Sequence, residues 1–351
     1  MTATTLPEVS QSNAEVPAGR RSRRGLVFGL TVAVVVAAVG YAVPYVIKDT
    51  YTMSLAVEAA LLGLLALGIG FLARHLGLIS LGHTSFFGGA AYAVGVGVNH
   101  YGWSMTQSFA FGVLVGTALS LVMGVLVVRA SGMGFLMLTL ALSQALYQLC
   151  VQTSFRPLTG AYDGLLISFR PDDTFAGVNA SDLQNPGLFW PIVWIVLIVC
   201  VVAVWLLGRS PFGTILEGVR ENEERMRFSN YNTFRPRLAA FVLSGLVASL
   251  GGALFALNGA YVSPDILGFS RAGDSLIAAM VGGLGSLIGP LLGTGLYVWG
   301  EAHLNTGGNL HLYTGIALIV VLVFLPGGVT GTLQRIWRRL RKERPGMGGR
   351  R

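Results

Sequence analysis

Long apolar stretches separated by short polar or glycine-containing connections dominate the chain. Each stretch holds about 20 residues, the length that an α-helix needs to cross a hydrocarbon core about 30 Å thick. Runs of this length predict an all-α polytopic membrane protein. Allowing a few residues of uncertainty at each end, we predict about ten membrane segments (eight to ten), at 25–47, 51–73, 77–98, 106–128, 133–152, 188–208, 238–258, 274–288, 290–303 and 311–326.

Two stretches, 77–97 and 282–295, are rich in glycine and interrupted by polar residues or proline. In the second stretch Gly285, Gly289 and Gly293 are spaced four apart, so they share one face of a helix and allow a second backbone to approach closely. Tight helix packing is one interpretation. The other is a broken helix that lines a translocation path, because irregular backbone at membrane depth must be buried in protein or face water. Hydropathy leaves open whether residues 274–303 form two half-helices or one span plus a loop.

Basic residues are unevenly distributed among the predicted connections. With ten crossings, all but four of the 24 Lys and Arg residues fall on one side of the membrane; the exceptions are Lys48, Arg156, Arg170 and Arg271. Because basic loops are retained on the cytoplasmic side, we predict that both termini are cytoplasmic. The net charge of +8 then reflects membrane orientation and does not indicate a nucleic-acid partner.

The predicted organisation has three parts. A polar cytoplasmic tail at 1–24, which we expect to be disordered, precedes a transmembrane domain at 25–330 that contains a long cytoplasmic loop at 209–237. A basic cytoplasmic tail follows at 331–351. The start of the chain does not resemble a signal peptide, because the first apolar run is too long and lacks a convincing cleavage site.

Composition excludes most soluble and catalytic classes. Only 11% of the residues are charged and 53% are hydrophobic, whereas soluble domains carry about 25% charged residues. Cys150 and Cys200 both lie in apolar runs, which predicts neither a disulfide framework nor a metal cluster. The two lysines, Lys48 and Lys342, do not follow a phosphate-binding-loop pattern, so we expect no ATP site in this chain. No catalytic motif is present, and we predict a non-enzyme without a cofactor.

Ionisable residues are scarce within the predicted segments. Glu58 lies about 10 Å into the second segment at 1.5 Å per residue, and an intramembrane carboxylate is a functional candidate by default. His83 follows Ser80 and precedes Thr84 in the first glycine-rich stretch. We predict these four residues as candidates for a translocation path, although a snorkelling Glu58 and a structural hydrogen bond at His83 are the alternatives.

This scarcity also bears on the source of energy. Proton- or sodium-coupled carriers usually place ionisable groups at mid-membrane, and this chain has few of them. The sequence therefore favours an external energy source, with a stand-alone channel or secondary carrier as the alternative class.

The loop at 209–237 contains a predicted amphipathic helix that begins at Ser210-Pro211, where proline is tolerated in the first turn. Its mixed charge favours a protein partner over the alternative of a helix lying on the lipid surface. The apolar stripe consists of Phe212, Ile215, Leu216 and Val219. The opposite side carries Glu217, Arg220, Glu221, Glu224 and Arg225, spaced so that Arg220 can pair with Glu224 and Glu221 with Arg225.

At this loop the sequence resembles a known family. Residues 208–223 (GRSPFGTILEGVRENE) are similar to the cytoplasmic loop of ABC importer permeases of the branched-chain amino acid type. The similarity continues through RLAAFVLS at 237–244, GGAL at 251–254 and VGGLGSLIGP at 281–290, and upstream it includes the stretch from 77 to 92. It covers roughly residues 50–330.

The resemblance implies a permease subunit in the bacterial cytoplasmic (inner) membrane that imports branched-chain or related amino acids by alternating access. Its implied partners are two ATP-binding subunits, a second homologous permease, an extracytoplasmic solute-binding protein and membrane lipid. The loop helix would be the coupling helix that is seated on an ATP-binding subunit. The implied coupling residues are Phe212, Gly213, Leu216, Glu217, Arg220, Glu221 and Asn222.

One departure concerns the outer loop. The family usually reads Thr-Gly-Gly-x-x-Gly where this chain has Thr159-Gly160-Ala161-Tyr162-Asp163-Gly164, with Ala161 in place of a glycine. Because related permeases carry urea or short-chain amides, import of these solutes is the alternative within the same architecture.

Overall fold

The computed structural model describes residues 23–304, 315–316 and 327–332, and these residues form a bundle of α-helices. Most of both predicted tails and nearly all of the predicted segment at 311–326 lie outside the described residues. The helices are α1 (Arg23–Tyr41), α2 (Val43–Val46), α3 (Thr50–Leu76), α4 (His83–Asn99), α5 (Met105–Val127), α6 (Gly132–Val151), α7 (Arg156–Thr159), α8 (Pro186–Arg209), α9 (Pro211–Glu221), α10 (Glu223–Phe228), α11 (Phe234–Gly259), α12 (Phe269–Gly282) and α13 (Gly289–Leu304).

Six helices in the described chain are long and apolar enough to cross a membrane, which confirms a polytopic all-α protein. They match predicted segments to within a few residues at each end. Crossings beyond these six stay a prediction. The six candidate spans are Gly29–Val46, Thr50–Leu76, Met105–Val127, Gly132–Val151, Pro186–Arg209 and Phe234–Gly259.

The other predicted segments in the described chain are shorter helices. α4, α12 and α13 have 17, 14 and 16 residues, which at 1.5 Å per residue is about 21 to 26 Å and less than a hydrocarbon core. α4 begins six residues later than predicted, because Gly77 adopts a left-handed φ of +68° that ends α3. The segment from 78 to 82 that follows is non-helical and mostly buried.

The core lies where α3, α4, α5 and α11 pack together. In α3, 78% of the residues in the most apolar stretch are buried, compared with 6% in the first candidate span. Close approach depends on glycine: a Cβ at Gly252 of α11 would lie 1.8 Å from the carbonyl oxygen of Phe87 in α4. The interpretation of tight packing is therefore correct for this interface.

The stretch at 282–295 is both broken and tightly packed, and its role in a translocation path stays a prediction. α12 and α13 are two short helices that pack antiparallel, with Gly293 against the backbone of Ala278 and Gly289 against that of Gly283. Gly285 lies in the connecting turn, where a Cβ would meet nothing, so the predicted shared face holds for Gly289 and Gly293 only. The region is thus two half-helices that pack through small residues.

The first candidate span is fixed to α8 by tryptophan. Trp190 Nε1 donates a hydrogen bond to the carbonyl oxygen of Gly40 at 2.7 Å. In a regular helix that carbonyl would bind the N–H of residue 44, but Pro44 has none. Trp190 therefore satisfies a carbonyl that has lost its helical partner.

The two ends of the bundle are built differently. At one end, residues 152–185 contain three of the four short strands found among the described residues. β1 (Leu165–Leu166) pairs antiparallel with β4 (Tyr261–Val262) after α11, and β2 (Thr174–Phe175) pairs antiparallel with β3 (Val178–Asn179). Three 3-10 turns, Thr153–Phe155, Ala161–Asp163 and Pro264–Leu267, complete this end. At the opposite end, α9 packs on α3, α8 and α11.

Candidate coupling helix and translocation residues

The helix predicted in the long loop is α9, and its start is as the sequence predicts. Ser210 has extended φ and ψ, and its hydroxyl accepts a hydrogen bond from the N–H of Gly213. Pro211 occupies the first turn, where its missing N–H has no helical partner to lose.

The inner face of α9 is fixed against the bundle. Leu216 and Val219 are buried, and Phe212 is half-buried against the core. A Cβ at Gly213 would lie 2.5 Å from the carbonyl oxygen of Gly208, so glycine lets α9 turn back tightly on the end of α8. These contacts confirm the predicted apolar stripe.

The outer face of α9 is polar and exposed. Glu217 and Glu221 are accessible on this face, and Asn222, directly after the helix, is exposed as well. Arg220 bends toward the end of α3, where its Nη1 donates to the carbonyl oxygen of Arg74 at 2.5 Å. This bond links α9 directly to α3, the most buried of the six candidate spans.

The predicted charge pairs along α9 are wrong. α9 ends at Glu221, because Asn222 is extended with φ −160° and ψ 97°. The Asn222 side chain then accepts a hydrogen bond from the N–H of Arg225 at 2.8 Å and caps α10. Arg220 and Glu224 lie on different helices, as do Glu221 and Arg225, so neither pair has the i,i+4 spacing of one helix.

A different carboxylate, Glu223, organises the loop. Its Oε2 lies 2.6 Å from Nη1 of Arg237 in α11, and its Oε1 lies 2.6 Å from Nη2 of Arg227. The Arg237 side chain is only 4% exposed and also donates to the carbonyl oxygen of Ala130 at 2.6 Å. Thr233 donates to Glu223 as well. One carboxylate therefore ties α10 to the start of α11 and, through Arg237, to the connection after α5.

The charge environment of Glu223 stabilises its ionised form. Partial burial tends to raise the pKa of its carboxyl, but the charge and hydrogen bond of Arg237, together with Thr233 and Arg227, hold that pKa below its ordinary value. The sequence did not predict the role of Glu223, because its main partner, Arg237, is 14 residues away and belongs to the next span.

Glu58, the first translocation candidate, lies on α3 with its side chain 39% exposed. Its Oε1 is 3.6 Å from Nη2 of Arg271, in the first turn of α12. The sequence assigned Arg271 to an outer connection and did not predict this pair. No sequence pattern relates the two residues, which are more than 200 positions apart.

The other three candidates lie deep inside the subunit, and His83 is beside Gly68, about 15 Å along α3 from Glu58. Ser80, His83 and Thr84 are at most 1% exposed. Ser80 accepts a hydrogen bond from the N–H of Gly82, and Thr84 lies 3.3 Å from the hydroxyl oxygen of Ser143.

His83 forms a buried hydrogen bond with a serine of α11. Its Nε2 lies 3.0 Å from the Ser244 hydroxyl oxygen, which also lies within hydrogen-bond distance of the carbonyl oxygen of Phe241. Nδ1 of His83 has no hydrogen-bond partner among the described residues. His83 thus joins α4 to α11 inside the subunit.

The outer loop shows why glycine is usual beside Gly160. Residues 160, 161 and 164 all have positive φ, at 74°, 51° and 74°. Ala161 therefore holds a left-handed conformation that disfavours residues with a Cβ. The departure from the Thr-Gly-Gly-x-x-Gly pattern therefore places an alanine at a position with positive φ, where it adds local strain.

Comparison with known proteins agrees with this architecture. Residues 51–326 match the family described as branched-chain amino acid transport system, permease component. The chain is 25% identical over 287 residues to LivM of Salmonella typhimurium, a high-affinity branched-chain amino acid transport system permease protein, across 76% of this chain and 67% of LivM. LivM of Escherichia coli is 24% identical over 319 residues, across 85% and 73% of the two chains.

A second group of relatives has a different solute in its name. LsrC of Yersinia pseudotuberculosis, an autoinducer 2 import system permease protein, is 29% identical over 299 residues, across 80% of this chain and 78% of LsrC. No solved structure matches the chain.

The family match covers most of the chain, at residues 51–326, and argues against the alternative of a stand-alone channel or secondary carrier. Members are multi-pass membrane subunits that lack an ATPase domain and work with ATPase and binding-protein partners. The expectation of a non-enzyme is therefore confirmed. The chain belongs to the branched-chain amino acid transport permease family and is the membrane subunit of a bacterial ABC importer.

Proposed function

We propose that the chain imports branched-chain or related amino acids across the inner membrane. It forms the path with a second homologous permease, receives solute from an extracytoplasmic binding protein and is driven by two ATP-binding subunits. The family match over 51–326 and the similarity to two LivM proteins support this proposal. In this arrangement the domain at 25–330 spans the membrane, and the loop at 209–237 and both tails are cytoplasmic.

The geometry of α9 is the observation that carries the coupling mechanism. Its inner face is buried against its own subunit, and Arg220 bonds to the end of α3. Glu217 and Glu221 remain exposed for a partner. A helix fixed on one face and charged on the other can receive a displacement from an ATP-binding subunit and transmit it to α3, α8 and α11.

For the translocation path we retain Glu58, Ser80, His83 and Thr84 as the proposed residues. Glu58 is the accessible member of this set. The buried positions of the other three support an indirect role, in which they fix where α4 begins and hold it against α6 and α11.

Autoinducer 2 import is the second candidate, favoured by the 29% identity to LsrC over 299 residues. Autoinducer 2 is the solute in the name of LsrC, not of this chain. A direct comparison of solute uptake must therefore decide between the two functions.

The test is uptake of labelled leucine, autoinducer 2 and urea in cells with and without this gene. We expect the deletion to abolish leucine uptake and re-expression to restore it, and ATP depletion to stop it. Loss of autoinducer 2 uptake alone would support the second candidate, and loss of urea uptake alone would replace the solute with urea. Leucine uptake that survives ATP depletion would contradict the mechanism.

A further inference from the structure

A pocket of about 520 Å³, which we call the Arg129 pocket, lies where the connection after α5 meets α10 and the start of α11. Its lining includes three arginines, Arg129, Arg227 and Arg237. Among the described residues that line it, one carboxylate, that of Glu223, opposes them. The pocket therefore carries an excess of two positive charges, which attracts an anionic ligand.

Part of this pocket is fixed by burial. Arg237 and Thr233 are at most 4% exposed. Arg237 donates to Glu223 and to the carbonyl oxygen of Ala130, and Arg227 donates to Glu223 and Thr233. Two guanidiniums thus share the single negative charge of Glu223 before the third arginine is considered.

Arg129 is that third arginine, and its charge is the least compensated. It is exposed at the end of α5, where the carbon of its guanidinium lies 5.5 Å from the centre of the Phe234 ring. This cation–π contact orients the guanidinium but uses none of its N–H donors in a conventional hydrogen bond. Within the described parts of the chain, no carboxylate lies within ion-pair distance of Arg129. Its donors therefore remain available to an anion.

An apolar surface leads from Arg129 along α5 toward membrane depth. Leu126, Val125 and Val122 precede Arg129 by three, four and seven residues, and Val128 between them keeps helical φ and ψ, so these side chains share one face. The three apolar residues are 58%, 46% and 60% exposed. α5 is a candidate membrane span. A molecule with an anionic head and an apolar tail matches the pocket and this face together.

We propose that the Arg129 pocket binds the phosphate headgroup of an anionic phospholipid from the inner leaflet, with an acyl chain along α5. The planar guanidinium donates paired hydrogen bonds to phosphate oxygens, and basic pockets at the cytoplasmic ends of membrane helices suit lipid headgroups. The bound lipid joins the connection after α5 to α10 and α11. This inference goes beyond the proposed function and rests on its orientation, in which this end of the bundle is cytoplasmic.

The test uses the complete importer purified in neutral detergent and titrated with phosphatidylglycerol, with the bound lipids counted by mass spectrometry of the intact complex. We expect Arg129→Gln to weaken the tightest binding about tenfold, because it removes charged hydrogen bonds to the phosphate. Arg235→Gln removes the same charge from an exposed position near the start of α11 that does not line the pocket, and this control should bind as the wild type does. Uncharged exchange is excluded by phosphatidylcholine, which should bind weakly to all three proteins.

Three results would overturn the inference. The first is equal affinity for phosphatidylglycerol in the wild type and Arg129→Gln. The second is binding of soluble glycerol phosphate as tight as that of the lipid, which would assign the pocket to a free phosphate. The third is loss of the ATP-binding subunits from Arg129→Gln with unchanged lipid binding, which would assign it to a carboxylate of that partner.

The binding measurement needs no transported solute, so it separates this inference from the proposed function. A complex that binds phosphatidylglycerol through Arg129 but imports no amino acid supports the lipid site and overturns the proposed function. A complex that imports leucine but binds the lipid equally well without Arg129 does the reverse.

Discussion

The two ends of the bundle are stabilised by different physical means. At the α9 end, the nearly buried guanidinium of Arg237 and the carboxylate of Glu223 join α10, α11 and the connection after α5. At the opposite end, two-residue strands, residues with positive φ and the exposed ion pair between Arg156 and Asp163 shape the loop. The first end is cross-linked by a partly buried charge network, whereas the second has short strands, buried apolar side chains such as Ile167 and Phe175, and an exposed ion pair.

Under the proposed function, in which the α9 end meets the ATP-binding subunits and the opposite end meets the binding protein, this difference fits two mechanical tasks. An end that transmits force from a motor must move as one body with the spans, and a partly buried charge network resists relative motion of its members. An end that meets a soluble binding protein needs a defined surface but no strong connection to every helix. Substitutions should therefore have large effects at the first end and small effects at the second.

Breaking the Glu223 network should have the largest effect. Glu223→Gln leaves the Arg237 guanidinium without its carboxylate, which should lower the free energy of unfolding by about 3–5 kcal/mol. Arg227→Gln removes an exposed partner of the same carboxylate and should cost about 1 kcal/mol or less. Thermal unfolding of the purified proteins measures both. Equal effects would show that burial does not distinguish the two ion pairs.

The same carboxylate predicts a dependence on pH. Because its pKa is lowered on folding, its stabilising contribution is complete above the ordinary value of 4.5 and is lost as the pH falls through the lowered folded value. Unfolding temperatures between pH 7 and pH 3 should therefore converge for the wild type and Glu223→Gln at the acid end. A constant difference across this range would contradict the assignment.

Displacing α9 should have the next largest effect. In Gly213→Ala the new methyl group meets the Gly208 carbonyl oxygen at about 2.5 Å, and relieving such a contact typically costs about 1–3 kcal/mol. We expect the importer to assemble and hydrolyse ATP but to transport less solute per ATP. Gly134→Ala is the matched control, since its Cβ would meet no atom within 4 Å. Unchanged coupling in Gly213→Ala would show that the seating of α9 is unimportant.

At the outer end, one substitution should stabilise the protein. Ala161→Gly removes the cost of a left-handed alanine, about 1 kcal/mol. The same change at the exposed helical residue Ala110 should destabilise by about 0.5–1 kcal/mol. Unfolding temperatures that shift in opposite directions would support this account. A loss of stability in Ala161→Gly would contradict it.

The smallest effect is expected at the outer ion pair. Arg156 and Asp163 are 64% and 76% exposed, and such pairs contribute about 0–1 kcal/mol. Arg156→Gln should therefore leave the unfolding temperature nearly unchanged, in contrast to Glu223→Gln. A loss of stability in Arg156→Gln as large as that in Glu223→Gln would contradict the distinction between the two ends.

Local patterns in the sequence predicted local structure well. The stripe formed by Leu216 and Val219, the helix start at Ser210-Pro211 and the long apolar spans follow from spacing along one segment, which a sequence displays directly. The break at Asn222 was missed, because the charge spacing alone favoured a continuous helix, and the side-chain cap at Asn222 was not considered.

Contacts between distant segments could not be predicted. Arg271 carries no signal that relates it to Glu58, and Arg237 none that relates it to Ala130. His83 was correctly noted as unusual, but its partner, Ser244, lies 161 residues away. Such pairings depend on how helices are arranged around one another, which hydropathy does not specify.

The most direct test of the coupling mechanism is the number of solute molecules imported per ATP hydrolysed. It should be measured in proteoliposomes for the wild type and for Glu217→Arg combined with Glu221→Arg, with Glu224→Arg on α10 as the control. We predict normal assembly of both proteins. The ratio should fall at least tenfold in the double variant, since a loss of about 1.4 kcal/mol of coupling free energy suffices for that change. The control should keep the wild-type ratio. A wild-type ratio in the double variant would contradict the proposal that α9 receives the force of ATP hydrolysis.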